Sequence, residues 1–332
     1  MPPAPNLASN PAGEVVFVPV SSTRVAPVAA GVAMAVIFGL SFSFTKTALR
    51  FLTPMDLLAL RFGLAALAMA ILAFTGTFRL DFAGKYWRRL IPLALCEPVI
   101  YFLCETAGIQ ATSAAEAGMV IGAIPVVVAI MAAFFLGERP GLGQSFFIAA
   151  SSLGIVLTFL GGPPSGGDSH PEGFLFLGVA VLAAGFYSVL SRRLAEEFSP
   201  LATTAVMMWM GAAVFIPLAL GLHLVSGTAF PFRVLGAPPV LLSLAYLGLF
   251  SSVAAFFLLN YMFHHLAAVR TVIYTNLTTL VSILAGVFFL GEHLAPYQWL
   301  GGGLILLGVW GTNRFVPKGK SPSDGESTHQ WV

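Results

Sequence analysis

Charged residues are scarce in this chain. Only 9% of its 332 residues are Asp, Glu, Lys or Arg, whereas 58% are hydrophobic and the mean hydropathy is +0.90. Soluble domains carry about 25% charged residues, so this chain has too little charge to cover a water-facing surface. The sequence therefore predicts an integral membrane protein. Its net charge of +2 is small and gives no indication of a nucleic-acid partner.

Cysteine is nearly absent as well. Cys96 and Cys104 lie in one apolar run, eight positions apart. On a helix this spacing separates their Cα atoms by roughly 12 Å, which is too far for a disulfide. We interpret both as packing thiols.

The sequence also lacks the common motifs of enzymes and cofactor sites. It contains no GxSxG, HExxH or P-loop, and Gly141-Leu142-Gly143 lacks the third glycine of a dinucleotide-binding loop. His264 and His265 are neighbours, and adjacent positions do not converge on one metal. We expect no metal, no cofactor and no enzymatic activity.

Long apolar runs dominate the rest of the chain. A bilayer is crossed by about 20 apolar residues in a helix. Ten such runs follow one another, at approximately 27–49, 54–75, 89–109, 114–136, 142–160, 173–194, 201–226, 239–261, 268–290 and 296–314. The predicted fold is therefore an all-α integral membrane protein with ten transmembrane helices.

A short sequence occurs twice and indicates an internal duplication. Phe-Phe-Leu-Gly-Glu at 134–138 recurs at 288–292, and the same spacing pairs Gly154 with Gly308. The chain then divides into a mostly disordered tail (1–25), a first repeat (26–160), an external linker (161–172), a second repeat (173–315) and a C-terminal tail (316–332). Because five spans is an odd number, the second repeat enters the membrane from the opposite side, which makes the repeats inverted.

The few positive residues are distributed unevenly. With ten spans, alternate loops share one side with both termini, and that side holds all but four of the 16 Lys and Arg residues. Arg50 and Arg233 fall on the other side, while Lys46 and Arg61 lie inside spans. Positive residues accumulate on the cytoplasmic side, so we predict a multi-pass protein of the cell (inner, cytoplasmic) membrane with both termini cytoplasmic.

Several of these runs resemble the EamA family of the drug/metabolite transporter superfamily. Residues 114–140, AAEAGMVIGAIPVVVAIMAAFFLGERP, are similar to that family's fourth helix with its proline, here Pro125. FGLSFSFTKTAL at 38–49 and PMDLLALRFGLAALAM at 54–69 are similar to its beginning, including an in-membrane arginine at Arg61. Thr279 departs from the pattern, because it stands where the second repeat would repeat Pro125. The resemblance implies a ten-helix exporter of small metabolites, often amino acids.

One face of the predicted third helix carries the first candidate site. Glu97, Tyr101 and Glu105 recur every four residues and so share a face. A carboxylate in mid-membrane costs about 3 kcal/mol on insertion scales, so it should face the bundle interior. Pro98 is expected to kink this helix. We interpret Glu97, with Tyr101, as a site for a substrate ammonium or a proton; a structural hydrogen bond to a neighbouring helix is the alternative.

A second group of charges is predicted in the outer half of the membrane. It comprises Lys46, Arg61, Glu105 and Glu116. Arg61 is deep enough to need a carboxylate partner, and Glu105 and Glu116 are nearest in level. The group forms either a structural ion pair, with Lys46 reaching for the interface, or an external gate or anion site.

The second repeat has neutral polar residues where the first has acids. Asn260, Tyr274 and Asn276 are predicted to line a midplane site opposite Glu97 and Tyr101. Amides and phenols suit an amphipathic substrate better than a phosphorylated one.

Glycines and two terminal glutamates have less specific roles. Gly118 with Gly122, and the glycines from Gly301 to Gly311, permit close helix contacts, either inside the bundle or in a homodimer. Glu138 and Glu292 end helices at the membrane surface and are expected to cap turns.

Together these features predict a secondary transporter that exports a small amphipathic metabolite, such as an amino acid, by alternating access. Its partners would be that substrate and membrane lipid. An intramembrane enzyme would need a nucleophile–base or metal constellation near the midplane, and none is apparent. A non-transporting membrane assembly subunit would have helices without buried charge, unlike those that carry Glu97 and Arg61.

Reporter fusions test the inverted topology. Fusions after Lys85 and after Arg193 should report a cytoplasmic location, and fusions within 165–172 an external one, because the positive residues fix the alternation of loops. A cytoplasmic signal from the 165–172 fusion would rule out inverted repeats.

Overall fold

The computed structural model describes residues 7–9, 15–17, 25–76, 87–135, 141–160, 170–266, 268–272, 274–292 and 295–315. This part of the chain is helical, apart from a small antiparallel ribbon of β1 (Leu7–Ser9) and β2 (Val15–Phe17). The ribbon lies in the segment for which the sequence predicts disorder, and the division of the chain into tails and repeats stays a prediction.

The helices follow the predicted apolar runs. The first repeat contains α1 (Val25–Ala48), α2 (Pro54–Phe74), α3 (Trp87–Ala111), α4 (Ala114–Phe135) and α5 (Leu142–Leu160). The second contains α6 (Pro171–Leu194), α7 (Pro200–Ser226), α8 (Pro238–His265), α9 (Ala268–Val272 and Thr275–Leu290) and α10 (Pro296–Arg314).

Within the described residues, seven of these helices are long and apolar enough to cross a membrane: α1 to α4 and α6 to α8. The chain is therefore a multi-pass membrane protein. That α5, α9 and α10 also cross, which would make ten spans, stays a prediction.

The helix starts follow from local sequence. Proline occupies the first turn of α2, α6, α7 and α8, where its missing N–H has no helical partner to lose. Thr53 and Ser199 precede α2 and α7 and accept hydrogen bonds from backbone N–H groups of their first turns.

The third helix of each repeat is interrupted at an equivalent place. In α3 a π-helical segment spans Leu95–Ile100, and Glu97 within it has non-helical φ and ψ of −146° and 113°. In α8 the π-helical segment spans Tyr246–Ala254. The spacing that pairs Gly154 with Gly308 also pairs Glu97 with Ser251. The two interruptions therefore occupy equivalent positions in the two repeats.

The fourth helix of each repeat is also interrupted, at different positions. In α4 the break falls between Ile121 and Ile124, just before Pro125, which cannot donate a helical hydrogen bond. Thr279 replaces this proline in the second repeat, and α9 is continuous from Thr275. The Thr279 hydroxyl donates a hydrogen bond to the Gly118 carbonyl of α4, at 3.1 Å.

Glycines bring helices of the two repeats close together. A Cβ atom on Gly308 of α10 would lie 2.6 Å from backbone atoms of α5, and one on Gly118 of α4 would overlap the Ser282 side chain of α9. These glycines therefore serve packing within the bundle. A homodimer stays a prediction.

The corner between α3 and α4 joins several parts of the bundle. The last carbonyls of α3 accept hydrogen bonds from other elements: Lys46 Nζ of α1 donates to Ile109, Gln110 and Thr112, and the backbone N–H of His170 donates to Ala111. A cation at a helix C-terminus also complements the helix dipole.

The first turn of α4 is satisfied by two carboxylates. Glu116 and Ser113 form a capping box, in which each side chain accepts from the other residue's backbone N–H. Glu292, after α9, accepts from the backbone N–H groups of Ala114 and Ala115 at 2.8 and 2.9 Å. Glu292 does cap a turn, but the turn belongs to the other repeat. Glu138 lies outside the described residues.

The Glu292 contact predicts a stability effect. Glu292→Ala leaves two N–H groups of α4 without their acceptors, at about 1–3 kcal/mol each, so the melting temperature in detergent should fall. Glu172→Ala is the control, because Glu172 is an exposed glutamate at the start of α6. Equal melting temperatures for the two variants would contradict a stabilising role for Glu292.

Candidate functional site

Six helices enclose a central cavity, three from each repeat. It is lined from α1, α3 and α4 and, symmetrically, from α6, α8 and α9, and it holds about 550 Å³ of space between atoms, part of it open to solvent. The cavity therefore lies where the two repeats meet. Its lining residues are Phe38, Ser41, Phe42, Glu97, Tyr101, Phe102, Glu105, Ile121, Ile124, Ala184, Tyr187, Ser188, Leu259, Val272, Thr275 and Thr278.

The predicted face of α3 opens into this cavity. Glu97, Tyr101 and Glu105 all line it and are all buried. The Tyr101 hydroxyl donates to Glu105 Oε1 at 3.1 Å. Among the described residues, none donates a hydrogen bond to the Glu97 carboxylate. Glu97 is therefore available to a donor that enters the cavity.

Arg61 is placed differently from the sequence prediction. Its Nε donates to Ser252 Oγ at 2.9 Å and its Nη2 to Ser251 Oγ at 2.8 Å, both in the interrupted segment of α8. Its guanidinium carbon lies 4.1 Å from the ring centroid of Phe102. In the described part of the chain no carboxylate lies within 4.0 Å of Arg61, so two serines and an aromatic face take the place of the expected ion pair.

Of the other members of the predicted outer charge group, Glu105 is close enough to Arg61 for a charge interaction, whereas Lys46 and Glu116 bind elsewhere. Lys46 binds carbonyls at the end of α3, and Glu116 belongs to the capping box of α4. Glu105 lines the cavity with Tyr101. Lys46 and Glu116 therefore stabilise the corner between α3 and α4, whereas Arg61 and Glu105 lie near the cavity.

Asn260 belongs to a hydrogen-bond network behind the cavity. Its Oδ1 accepts from the Tyr187 hydroxyl at 2.9 Å and from Ser191 Oγ at 3.0 Å, and its Nδ2 donates to Thr204 Oγ1 at 3.1 Å. These bonds join α6, α7 and α8. Asn260 itself does not line the cavity, whereas its partner Tyr187 does.

The predicted residues of α9 are close to the cavity. Tyr274 and Asn276 are not lining residues, but Thr275 and Thr278 beside them are. The ring of Tyr274 packs on Gly31 of α1, where a Cβ atom would lie 2.6 Å from it. Thr278 is buried, and its hydroxyl has no hydrogen-bond partner among the described residues. A bound molecule could supply that partner.

Sequence reasoning missed the contribution of α1 and most of that of α6. Phe38, Ser41 and Phe42 from α1 and Ser188 from α6 line the cavity without any charged residue to mark them. The only available signal was position, because α1 and α6 occupy the same place in the two repeats.

A bundle of apolar helices around a central cavity with buried carboxylates is the construction of a membrane transporter. A soluble enzyme would not bury so much apolar surface toward lipid, and a passive scaffold would not keep Glu97 and Glu105 inside its helices.

Comparison with known proteins identifies the family. The chain matches the EamA-like transporter family over residues 26–160 and again over 171–314. It therefore belongs to this family, with one family unit in each repeat. This confirms the resemblance drawn from Pro125 and the repeated Phe-Phe-Leu-Gly-Glu sequence.

Several relatives of this chain are named as transporters. An uncharacterized transporter of Bacillus subtilis, YcxC, is 32% identical over 83% of this chain and 89% of its own. A probable terminal-alkyne amino-acid exporter of Streptantibioticus cattleyicolor is 26% identical over 76% of this chain and 85% of its own. A riboflavin transporter of Rhizobium johnstonii is 28% identical, over 82% and 86%.

A solved structure shares the fold. It covers 89% of this chain and 99% of its own with a TM-score of 0.61 and 20% identity.

The Asn260 network predicts that this residue stabilises the bundle. Asn260→Ala removes the oxygen that accepts from the Tyr187 and Ser191 hydroxyls, so we expect a loss of about 1–3 kcal/mol in stability, seen as a lower melting temperature in detergent. Ser226→Ala is the control, because Ser226 is exposed and bonds mainly within the end of α7. A weakened substrate affinity at an unchanged melting temperature would instead make Asn260 a ligand.

Proposed function

We propose that the protein is a secondary transporter that exports a small amphipathic metabolite bearing an amino group, such as an amino acid or a related compound, by alternating access. The observation that carries this proposal is the Glu97 carboxylate, buried in the cavity between the repeats and without a donor among the described residues. A carboxylate kept in that position needs a cation or a proton.

Glu97 would also couple export to a proton gradient. When Glu97 holds a proton it is neutral, and when it holds a substrate ammonium the pair is again close to neutral. Because Glu97 is neutralised either by the proton or by the ammonium, the cavity can open to one side of the membrane or the other without moving an unpaired charge through the bilayer. No ATP-binding motif is present in the sequence, so a gradient is the expected energy source.

The predicted topology indicates which end of the bundle would form the external gate and which the cytoplasmic gate. With both termini cytoplasmic, the corner between α3 and α4 lies at the external side, where Lys46 and Glu292 join α1 and α9 to it. These contacts hold the external end together, and the opposite end would then open to the cytoplasm. Inverted repeats make two such related conformations possible.

The alternatives fit less well. An intramembrane enzyme needs a nucleophile with an adjacent base or a metal, and the described residues contain no group of His, Cys, Asp and Glu able to hold a metal. A membrane assembly subunit needs no cavity between its repeats. The transporter names of the relatives also favour transport over catalysis.

Glu97→Gln tests the proposal. The change keeps the size of the side chain and removes its charge, so the protein should fold while losing a charge-assisted hydrogen bond of about 1.5–3 kcal/mol, or roughly ten- to a hundredfold in KM. Uptake of radiolabelled amino acids and amines into proteoliposomes, with and without an imposed pH gradient, measures both affinity and coupling.

Glu196→Gln provides the matched control, because Glu196 is exposed beyond the end of α6. It should transport like the unmodified protein. If Glu97→Gln also keeps its transport rate and its response to the pH gradient, Glu97 is structural and the mechanism is wrong.

A further inference from the structure

The charged side chains that the described residues contribute to the cavity lining are all acidic. Two carboxylates, Glu97 and Glu105, line it, while the lining contributed by the described residues includes no Lys, Arg or His. An amino acid carries a carboxylate as well as an ammonium. Its carboxylate would therefore meet negative charge and no positive partner in this cavity.

Arg61 is a buried cation beside the cavity, and two of its five N–H donors are already in use. Two of its donors bind Ser251 and Ser252, and its guanidinium lies over Phe102, whose ring lines the cavity. Arg61 is only 2% exposed. Because Phe102 packs against the guanidinium and lines the cavity, a substrate carboxylate would have to displace this ring to reach Arg61.

The remaining lining suits the apolar body of an amine. Phe38, Phe42 and Phe102 contribute aromatic rings to the lining, and Ile121 and Ile124 contribute branched apolar side chains. Aromatic faces attract cations as well as apolar groups. The unpartnered Thr278 hydroxyl offers one further neutral contact.

We propose that the cavity selects organic monoamines with an aromatic or branched apolar body over the corresponding amino acids. The ammonium binds Glu97, and the body packs between α1, α3 and α4. Glu105, already bound by Tyr101, offers no positive partner to a substrate carboxylate and repels it when ionised. This selectivity rests on the proposed function, since it assigns a substrate class to the same cavity.

Four probes that share one phenyl ring separate the contributions of the two charges. Phenethylamine carries only the ammonium, L-phenylalanine both charges, L-phenylalanine methyl ester an amine with a masked carboxylate, and 3-phenylpropionate only the carboxylate. Binding of each to the purified full chain is measured by isothermal titration at neutral pH, with unmodified protein, Glu97→Gln and the exposed control Glu196→Gln.

We expect phenethylamine and the ester to bind at least about tenfold more tightly than L-phenylalanine, a difference of roughly 1.4 kcal/mol or more, and 3-phenylpropionate not to bind. Glu97→Gln should weaken the binding of the two amines roughly ten- to a hundredfold, and Glu196→Gln should not change it. Esterification also makes the amine less basic, so the comparison of phenethylamine with L-phenylalanine, which differ only by the carboxylate, gives the clearest result.

Tighter binding of L-phenylalanine than of phenethylamine would overturn the selectivity, and so would an absence of binding by all four probes. Transport of the same probes into proteoliposomes separates this failure from that of the proposed function. Glu97-dependent transport of L-phenylalanine without transport of phenethylamine would preserve the transporter and reject the amine preference.

Discussion

The interior of a bilayer offers no water to satisfy polar groups, and this constraint governs where each polar side chain of the protein lies. It is clearest at the corner between α3 and α4. There the chain reverses direction, and the ends of two helices would each leave backbone groups unpaired. Lys46, Glu292 and the His170 backbone satisfy them, so parts of both repeats are tied to one corner.

The same constraint gives meaning to the groups that remain unsatisfied. Arg61 is bound by two serines, and Asn260 by two hydroxyl donors and a hydroxyl acceptor. Glu97 and Thr278, in contrast, face the cavity without such partners among the described residues. The hydroxyls of Ser43, Thr106 and Ser151 are also buried without a partner among the described residues. Glu97 and Thr278 differ from them because they line the cavity, where a molecule that enters is expected to complete their bonding.

The two repeats share one arrangement of helices, but they carry different polar residues at equivalent positions. Both third helices are interrupted at equivalent positions, which brings irregular backbone to the middle of each repeat. In the first copy that position is Glu97 and in the second it is Ser251. One copy therefore presents an acid to the cavity, while the other holds Arg61 away from it. An asymmetric site has been built from a nearly symmetric fold.

The sequence by itself determined the membrane class, the family, the repeats and the face of α3 that carries Glu97, Tyr101 and Glu105. These follow from apolar run length, from spacing along one helix and from matches at a constant offset, all of which are local. Only the tertiary structure decided that Arg61 binds Ser251 and Ser252 and that Asn260 joins three helices. The reason is physical: helical periodicity shows which residues share a face, but the rotation of each helix against its neighbours decides which partners they meet.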